Sequence, residues 1–166
     1  MKLATFVLAA VTCLSISTAA VAGKFTLKSN DIADGATLDD NFVYAGFGCA
    51  GKNISPQLSW SNAPEGTKSF AITVYDGNAP SGSGWWHWMV VNIDSSQSQL
   101  AQAASSQGMP MGAVQIETDF GEQQFGGACP PVGHGKHTYQ FKVHALKVEK
   151  LDVTADTPAA LVGYML

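Results

Sequence analysis

HTYQFKVHALKV, residues 137–148, alternates polar and apolar side chains along most of its length. His137, Tyr139, Phe141, Val143 and Ala145 share one face, while Thr138, Gln140, Lys142 and His144 share the other. A period of two marks a strand with one buried face. His137 and Tyr139 are the two polar members of the apolar face, and they stand together at its start. Polar groups in such a place must find hydrogen-bonding partners or a ligand.

Other segments read the same way. KSFAITVY (68–75) and WHWMVVNI (86–93) have β-branched and aromatic cores, as expected of strands buried on at least one face, and Phe25-Thr26-Leu27 reads as a first short strand. Between them lie long turn-rich stretches, GFGCAGKNISP (46–56), DGNAPSGSG (76–84), SSQSQLAQAASSQGMPMG (95–112) and GEQQFGGACPPVGHG (121–135). Loops of that length are uncommon in a compact domain unless they build a site. Near the end, Thr157 is expected to cap a short helix with Pro158 at its first position, ahead of AALVGYML. The pattern is that of a mainly β, antiparallel protein with little helix.

The first residues, MKLATFVLAAVTCLSISTAAVA, combine a Lys, an apolar stretch and a small-residue ending, which predicts a signal peptide of residues 1–22 cleaved after Ala22. The apolar stretch is interrupted by Ser15, Ser17 and Thr18, short of the roughly 20 residues a membrane span needs. The expected protein is therefore periplasmic or secreted, a single domain of residues 23–166 without an integral membrane segment. Loss of Lys2 leaves 8 Lys against 13 Asp and Glu, a net charge of −5, and there is no Arg. Such a chain has no electrostatic footprint for nucleic acid. Cys13 leaves with the signal peptide, and the remaining pair, Cys49 and Cys129, is expected to form a disulfide. Closing a loop of about 80 residues is worth on the order of 4 kcal/mol in the chain-entropy picture. Two buried free thiols are the alternative.

Asp76 stands just past one predicted strand and His87 at the start of the next, joined by a Gly-, Pro- and Ser-rich connection. Strand ends and their loops are where sites are commonly built. Taken singly, an Asp in a turn and a lone His are more often structural. With His137 and Tyr139 they form a set.

In the order and spacing of these residues the chain resembles the phosphatidylethanolamine-binding proteins, in their bacterial exported, Raf-kinase-inhibitor-like branch. One family signature is answered by Asp76-Gly77-Asn78-Ala79-Pro80, Trp86-His87-Trp88 and Asn92, and a second by Cys129-Pro130-Pro131 with His137-Thr138-Tyr139. NISPQLSW and TDFG extend the similarity over essentially all of residues 23–166. The resemblance implies a large antiparallel sheet packed with a smaller one, and a shallow anion pocket at one edge. By position the pocket would be Asp76, Pro80, Trp85, His87, His137 and Tyr139, with backbone N–H groups of the loop from Gly127 to Cys129. Gly77, Asn78 and Thr138 depart from the family pattern, Thr138 replacing an Arg, and weaker anion affinity is expected from them. Related exported proteins continue beyond LVGYM into more helix and a last strand, which this chain, ending at Leu166, is expected to lack.

The expected function is a non-catalytic binding protein for a small phosphorylated or other anionic group, such as a phosphorylethanolamine-like headgroup. No cofactor and no metal are expected. An alternative is an interaction module that inhibits or modulates an extracytoplasmic or host protein without using the pocket. A Cys-His hydrolase would need Cys129 as a free nucleophile with His87, His134 or His137 as base, which a disulfide forbids. A zinc site at His134 and His137 lacks a third ligand at motif spacing. Of Trp60, Trp85, Trp86 and Trp88, only Trp85 or one neighbour is expected to line a site.

Overall fold

The computed structural model describes residues 23–166, so the signal peptide expected at residues 1–22 falls outside the described residues. In chain order the elements are β1 (Thr26–Lys28), β2 (Ala45–Gly46), β3 (Cys49–Ala50), β4 (Leu58–Ser61), β5 (Ser69–Asp76), β6 (Trp85–Asp94), β7 (Gln99–Leu100), α1 (Ala104–Gln107), β8 (Val114–Gln115), β9 (Tyr139–Leu146) and α2 (Ala159–Met165). Four antiparallel strands form the main sheet in the order β8-β6-β5-β9, and a smaller sheet has the order β1-β4-β7. The large-plus-small architecture and the short C-terminal helix are those expected.

SFAITVYD becomes the central strand because both its faces are covered. Phe70, Ile72 and Val74 meet Leu58, Trp60 and Leu100 of the smaller sheet, together with Phe141, Val143 and Ala145 of β9. On the opposite face Ala71 joins Met89, Val91 and Ile116 under Ala159 and Val162 of α2. Trp88 is fully buried, and its indole N–H is satisfied by Gln115 Oε1 at 2.8 Å. Burying each large apolar side chain in these two layers contributes about 1.5–3 kcal/mol.

β6 is not the uninterrupted strand its apolar run implies. The register with β5 slips twice, between Phe70 and Ile72 and again between Val74 and Tyr75, so that Asn92 and His87 are extra residues on the β6 side. Asn92 carries a φ of 59° there, and its side chain clamps the Leu151 backbone through bonds of 3.1 and 2.7 Å. Each bulge reverses the inward–outward alternation beyond it. Trp86 consequently faces the α2 layer, where its ring lies against Gly163, while Trp85 and Trp88 face the other.

Three expectations are corrected. The alternating strand begins at Tyr139, leaving His137 on the irregular segment before it. The first strand is Thr26–Lys28, one residue later than read. The final helix begins at Ala159, with Pro158 at the flanking position in an extended conformation, and Thr157 Oγ1 instead accepts the Thr154 N–H at 3.0 Å. The ring of Pro158 fixes only φ, and the Thr154–Thr157 turn satisfies the hydroxyl before it can cap.

Cys49 and Cys129 are disulfide-bonded at a sequence separation of 80. The bond ties the β2–β3 hairpin to the loop ahead of β9, next to a parallel bridge between Val43 and Ala128. Reduction is expected to lower the unfolding free energy by about 2–5 kcal/mol, measured by denaturant titration with and without a thiol reductant. An unchanged midpoint would show that the backbone bridge alone holds the loop.

Candidate functional site

Asp76 ends β5, with Trp85 of β6 opposite it on one side and Tyr139 of β9 on the other. Directly paired residues project to the same face, so Trp85, Asp76 and Tyr139 stand in a row across three strands at the end of the smaller-sheet layer. Asp76 is 2% exposed. Its Oδ2 accepts a hydrogen bond from His137 Nδ1 at 2.6 Å, and its Oδ1 accepts the backbone N–H of Asn78 at 2.8 Å. Asn78, one of the departures from the family signature, also accepts the Thr138 N–H at 2.9 Å through its Oδ1. It thereby ties the β5 turn to the approach of β9.

The bulge places His87 in this row's neighbourhood. Its ring meets that of Tyr139 edge-on at a centroid separation of 5.0 Å, and that of Phe120 at 5.2 Å. His87 Nδ1 lies 2.8 Å from the carbonyl oxygen of Gly126 and 3.2 Å from that of Gly127. Both partners only accept, so Nδ1 carries the proton and donates, and the neutral ring presents Nε2 as a lone pair. Burial holds the imidazole below its ordinary pKa, against the raising influence of the two carbonyls, Asp76 and Asp119. The ligand-free site therefore contains a neutral His87 near pH 7.

Two donors in the row have no partner. Tyr139 Oη and Trp85 Nε1 are buried and make no hydrogen bond among the described residues. The Tyr139 hydroxyl pKa is pushed up to about 12, first by burial and then by the Asp76 charge, with the Cys129 backbone N–H acting in the opposite direction. It therefore stays protonated and able to donate. An unsatisfied buried donor costs about 1–3 kcal/mol.

The loop before β9 contributes differently from expectation. The Gly127 N–H donates to Asn53 Oδ1 at 2.7 Å and the Ala128 N–H to the Phe42 carbonyl at 2.9 Å, so neither amide is free for an anion. Of the loop amides proposed as anion donors, only that of Cys129 turns toward the row. The loop's main service is its carbonyls, which orient His87. A Cβ on Gly127 would lie 2.5 Å from the Phe42 carbonyl oxygen, so only glycine permits this approach. Pro80 is exposed on the β5–β6 connection, and no observed contact ties it to the row. His134 is exposed as well, its ring 6.0 Å from that of His137. Among the described residues no group of three or more His, Cys, Asp or Glu could hold a metal ion. Cys129 is bonded to Cys49, so it is not a nucleophile.

Two contributors escaped the sequence reading. Asn53, at a φ of 53°, holds the loop from both directions, with its Nδ2 donating to the Phe125 carbonyl at 3.0 Å. Phe120 links Trp85 and His87 to Tyr44, with ring separations of 5.5, 5.2 and 4.3 Å. The quoted NISPQLSW and TDFG segments contain or adjoin both residues, but pattern alone assigns them no task.

The sequence profile of the phosphatidylethanolamine-binding protein family matches residues 28–166. The chain belongs to this family. YbcL of Escherichia coli K12 is 54% identical over 154 residues, covering 91% of this chain and 84% of YbcL. YbhB of the same organism is 48% identical over 140 residues, covering 83% and 88% respectively. The crystal structure of E. coli YbcL, described as a member of the mammalian PEBP family, superposes with a TM-score of 0.83 at 55% identity, over 85% of this chain and 88% of that one. A more distant relative is the putative lipoprotein LppC of Mycobacterium tuberculosis, 32% identical over 139 residues, 84% of this chain and 64% of LppC. The unpartnered Tyr139 hydroxyl gives the fold no hydrogen bond to lose, so Y139F should leave stability unchanged or raise it by up to about 1 kcal/mol. Thermal unfolding of the variant tests this, and a clearly destabilised Y139F contradicts the idea that the hydroxyl lacks a structural partner.

Proposed function

We propose that the protein is an exported, non-catalytic binding protein whose row of Trp85, Asp76 and Tyr139, with His87 and His137, receives a small phosphorylated or other anionic group, of the kind carried by phosphorylethanolamine. The observation that carries this reading is the pair of buried donors, Tyr139 Oη and Trp85 Nε1, that lack an acceptor. Asp76 does not repel the anion as a bare carboxylate, because both its oxygens are already engaged, one by His137 and one by Asn78. An oxyanion between the two donors completes their hydrogen bonding without Arg.

The same chemistry argues for binding over turnover. The Tyr139 hydroxyl is held far above neutrality, Cys129 is in a disulfide, and Asp76 is occupied, so no activated nucleophile faces the anion. A disulfide-bonded pair and a relative named as a lipoprotein support a place outside the cytoplasm.

His87 makes the binding proton-linked. With Nδ1 fixed as a donor to two carbonyls, Nε2 can donate to an anion only when the ring is protonated, a state that burial disfavours in the free protein. Binding then takes up a proton, and affinity rises as pH falls toward the lowered pKa of the ring. Sulfate, an oxyanion that takes up no proton in this range, titrated calorimetrically between about pH 7.5 and 5.5, should bind more tightly by up to about tenfold per pH unit. H87Q should flatten that dependence. Affinity that is independent of pH, or that strengthens toward alkaline pH, refutes the assignment.

A further inference from the structure

A cavity of 1090 Å³ runs alongside β9 and shares His137 and Tyr139 with the proposed anion site. Its floor includes Leu27, Ile32, Leu38 and Phe141, from β1, the segment that follows it, and β9. Three of the eight lysines in residues 23–166, Lys28, Lys136 and Lys142, line it, against one acid, Asp34. In a chain whose net charge over those residues is −5, this is a local reversal of sign. β9 pairs with β5 on one side and with no strand on the other among the described residues, and its residues Tyr139 to Lys142 line the cavity. An unpaired strand edge is a template for another extended segment.

From the open edge, the apolar floor and the lysines together, we infer that this groove binds an extended acidic peptide segment of a partner protein, added as a strand to the outer edge of β9. Backbone bonds to β9 supply general affinity, alternate apolar side chains enter the floor, and carboxylates on the intervening positions meet Lys28, Lys136 and Lys142. This is the strand-addition mode of peptide recognition, with charge selecting the partner. An alkyl chain could fill the apolar floor but would use neither the strand edge nor the lysines. The inference does not rest on the proposed anion binding, although the two sites share His137 and Tyr139.

The test uses fluorescent, acetylated peptides that alternate Glu with Val, compared with peptides alternating Lys with Val and with a Glu/Val peptide N-methylated at every second residue. Binding is read by anisotropy and mapped by amide NMR shifts on the full chain. The Glu/Val peptide should bind and shift the amides of β9, the Lys/Val peptide should bind at least about tenfold more weakly, and N-methylation of the pairing edge should abolish binding. The double variant K28E/K142E should lose the Glu/Val peptide while keeping the phosphate titration of the parent protein. Saturating inorganic phosphate should leave the peptide in place, since the strand edge, Lys28 and Lys142 that hold the peptide are not part of the proposed anion site. Equal binding of the two charge patterns, shifts that avoid β9, displacement by phosphate, or filling of the groove by decyl phosphate but by no peptide would each overturn the inference.

Discussion

A carboxylate buried at the end of the central strand governs this end of the molecule. Asp76 is 2% exposed, and an ionised group so placed must be compensated by hydrogen bonds and charge. Its two oxygens draw in His137 from the irregular segment before β9 and Asn78 from the β5–β6 connection, and Asn78 in turn holds the Thr138 amide. One buried charge thus brings together segments that are 60 residues apart in sequence. Trp85 and Tyr139 stand on either side because three strands are in register at that point, and their donors have no partner among the described residues.

The second constraint is the bulge at His87. Without the slip between Val74 and Tyr75, the strand would present Trp86 beside Trp88 on the core face and turn His87 away. The extra residue moves the His toward the pocket loop, where the carbonyls of Gly126 and Gly127 fix its tautomer. Asn53 and the glycine at 127 hold those carbonyls in place, and the disulfide of Cys129 anchors the loop to the β2–β3 hairpin. The tautomer of the imidazole is thus set by its surroundings, with Nδ1 donating to the loop carbonyls and Nε2 left as a lone pair.

Much of this was legible in the residues. The alternation through Tyr139, Phe141 and Val143 announced β9 and its buried face, and the apolar run of β5 announced a strand buried on at least one face, which the structure extends to both. Two cysteines in an exported-type chain implied their pairing. Asp76, His87, His137 and Tyr139 were legible as one set, although which histidine Asp76 holds depends on the irregular segment that carries His137 ahead of β9. What was not legible depends on register and on competition for hydrogen bonds. A bulge inserts one residue into an apolar run that looks continuous, so the true faces of Trp85, Trp86 and His87 were hidden. The loop from Gly127 to Cys129 looked like an amide cradle, but Asn53 and Phe42, distant in sequence, had already taken two of its N–H groups. Thr157 looked like a cap until the Thr154 turn claimed its hydroxyl. Phe120 and Asn53 have ordinary side chains whose tasks exist only in three dimensions.

The tautomer of His87 carries the central claim, since it decides whether the pocket is a set of donors awaiting an anion. Long-range proton–nitrogen NMR correlations of the imidazole rings, recorded without and with inorganic phosphate, read it directly. The account predicts His87 protonated at Nδ1 alone in the free protein, with a second proton appearing at Nε2 as phosphate binds and the His137 ring shifting in step. A free His87 protonated at Nε2, or rings that ignore phosphate, would contradict it.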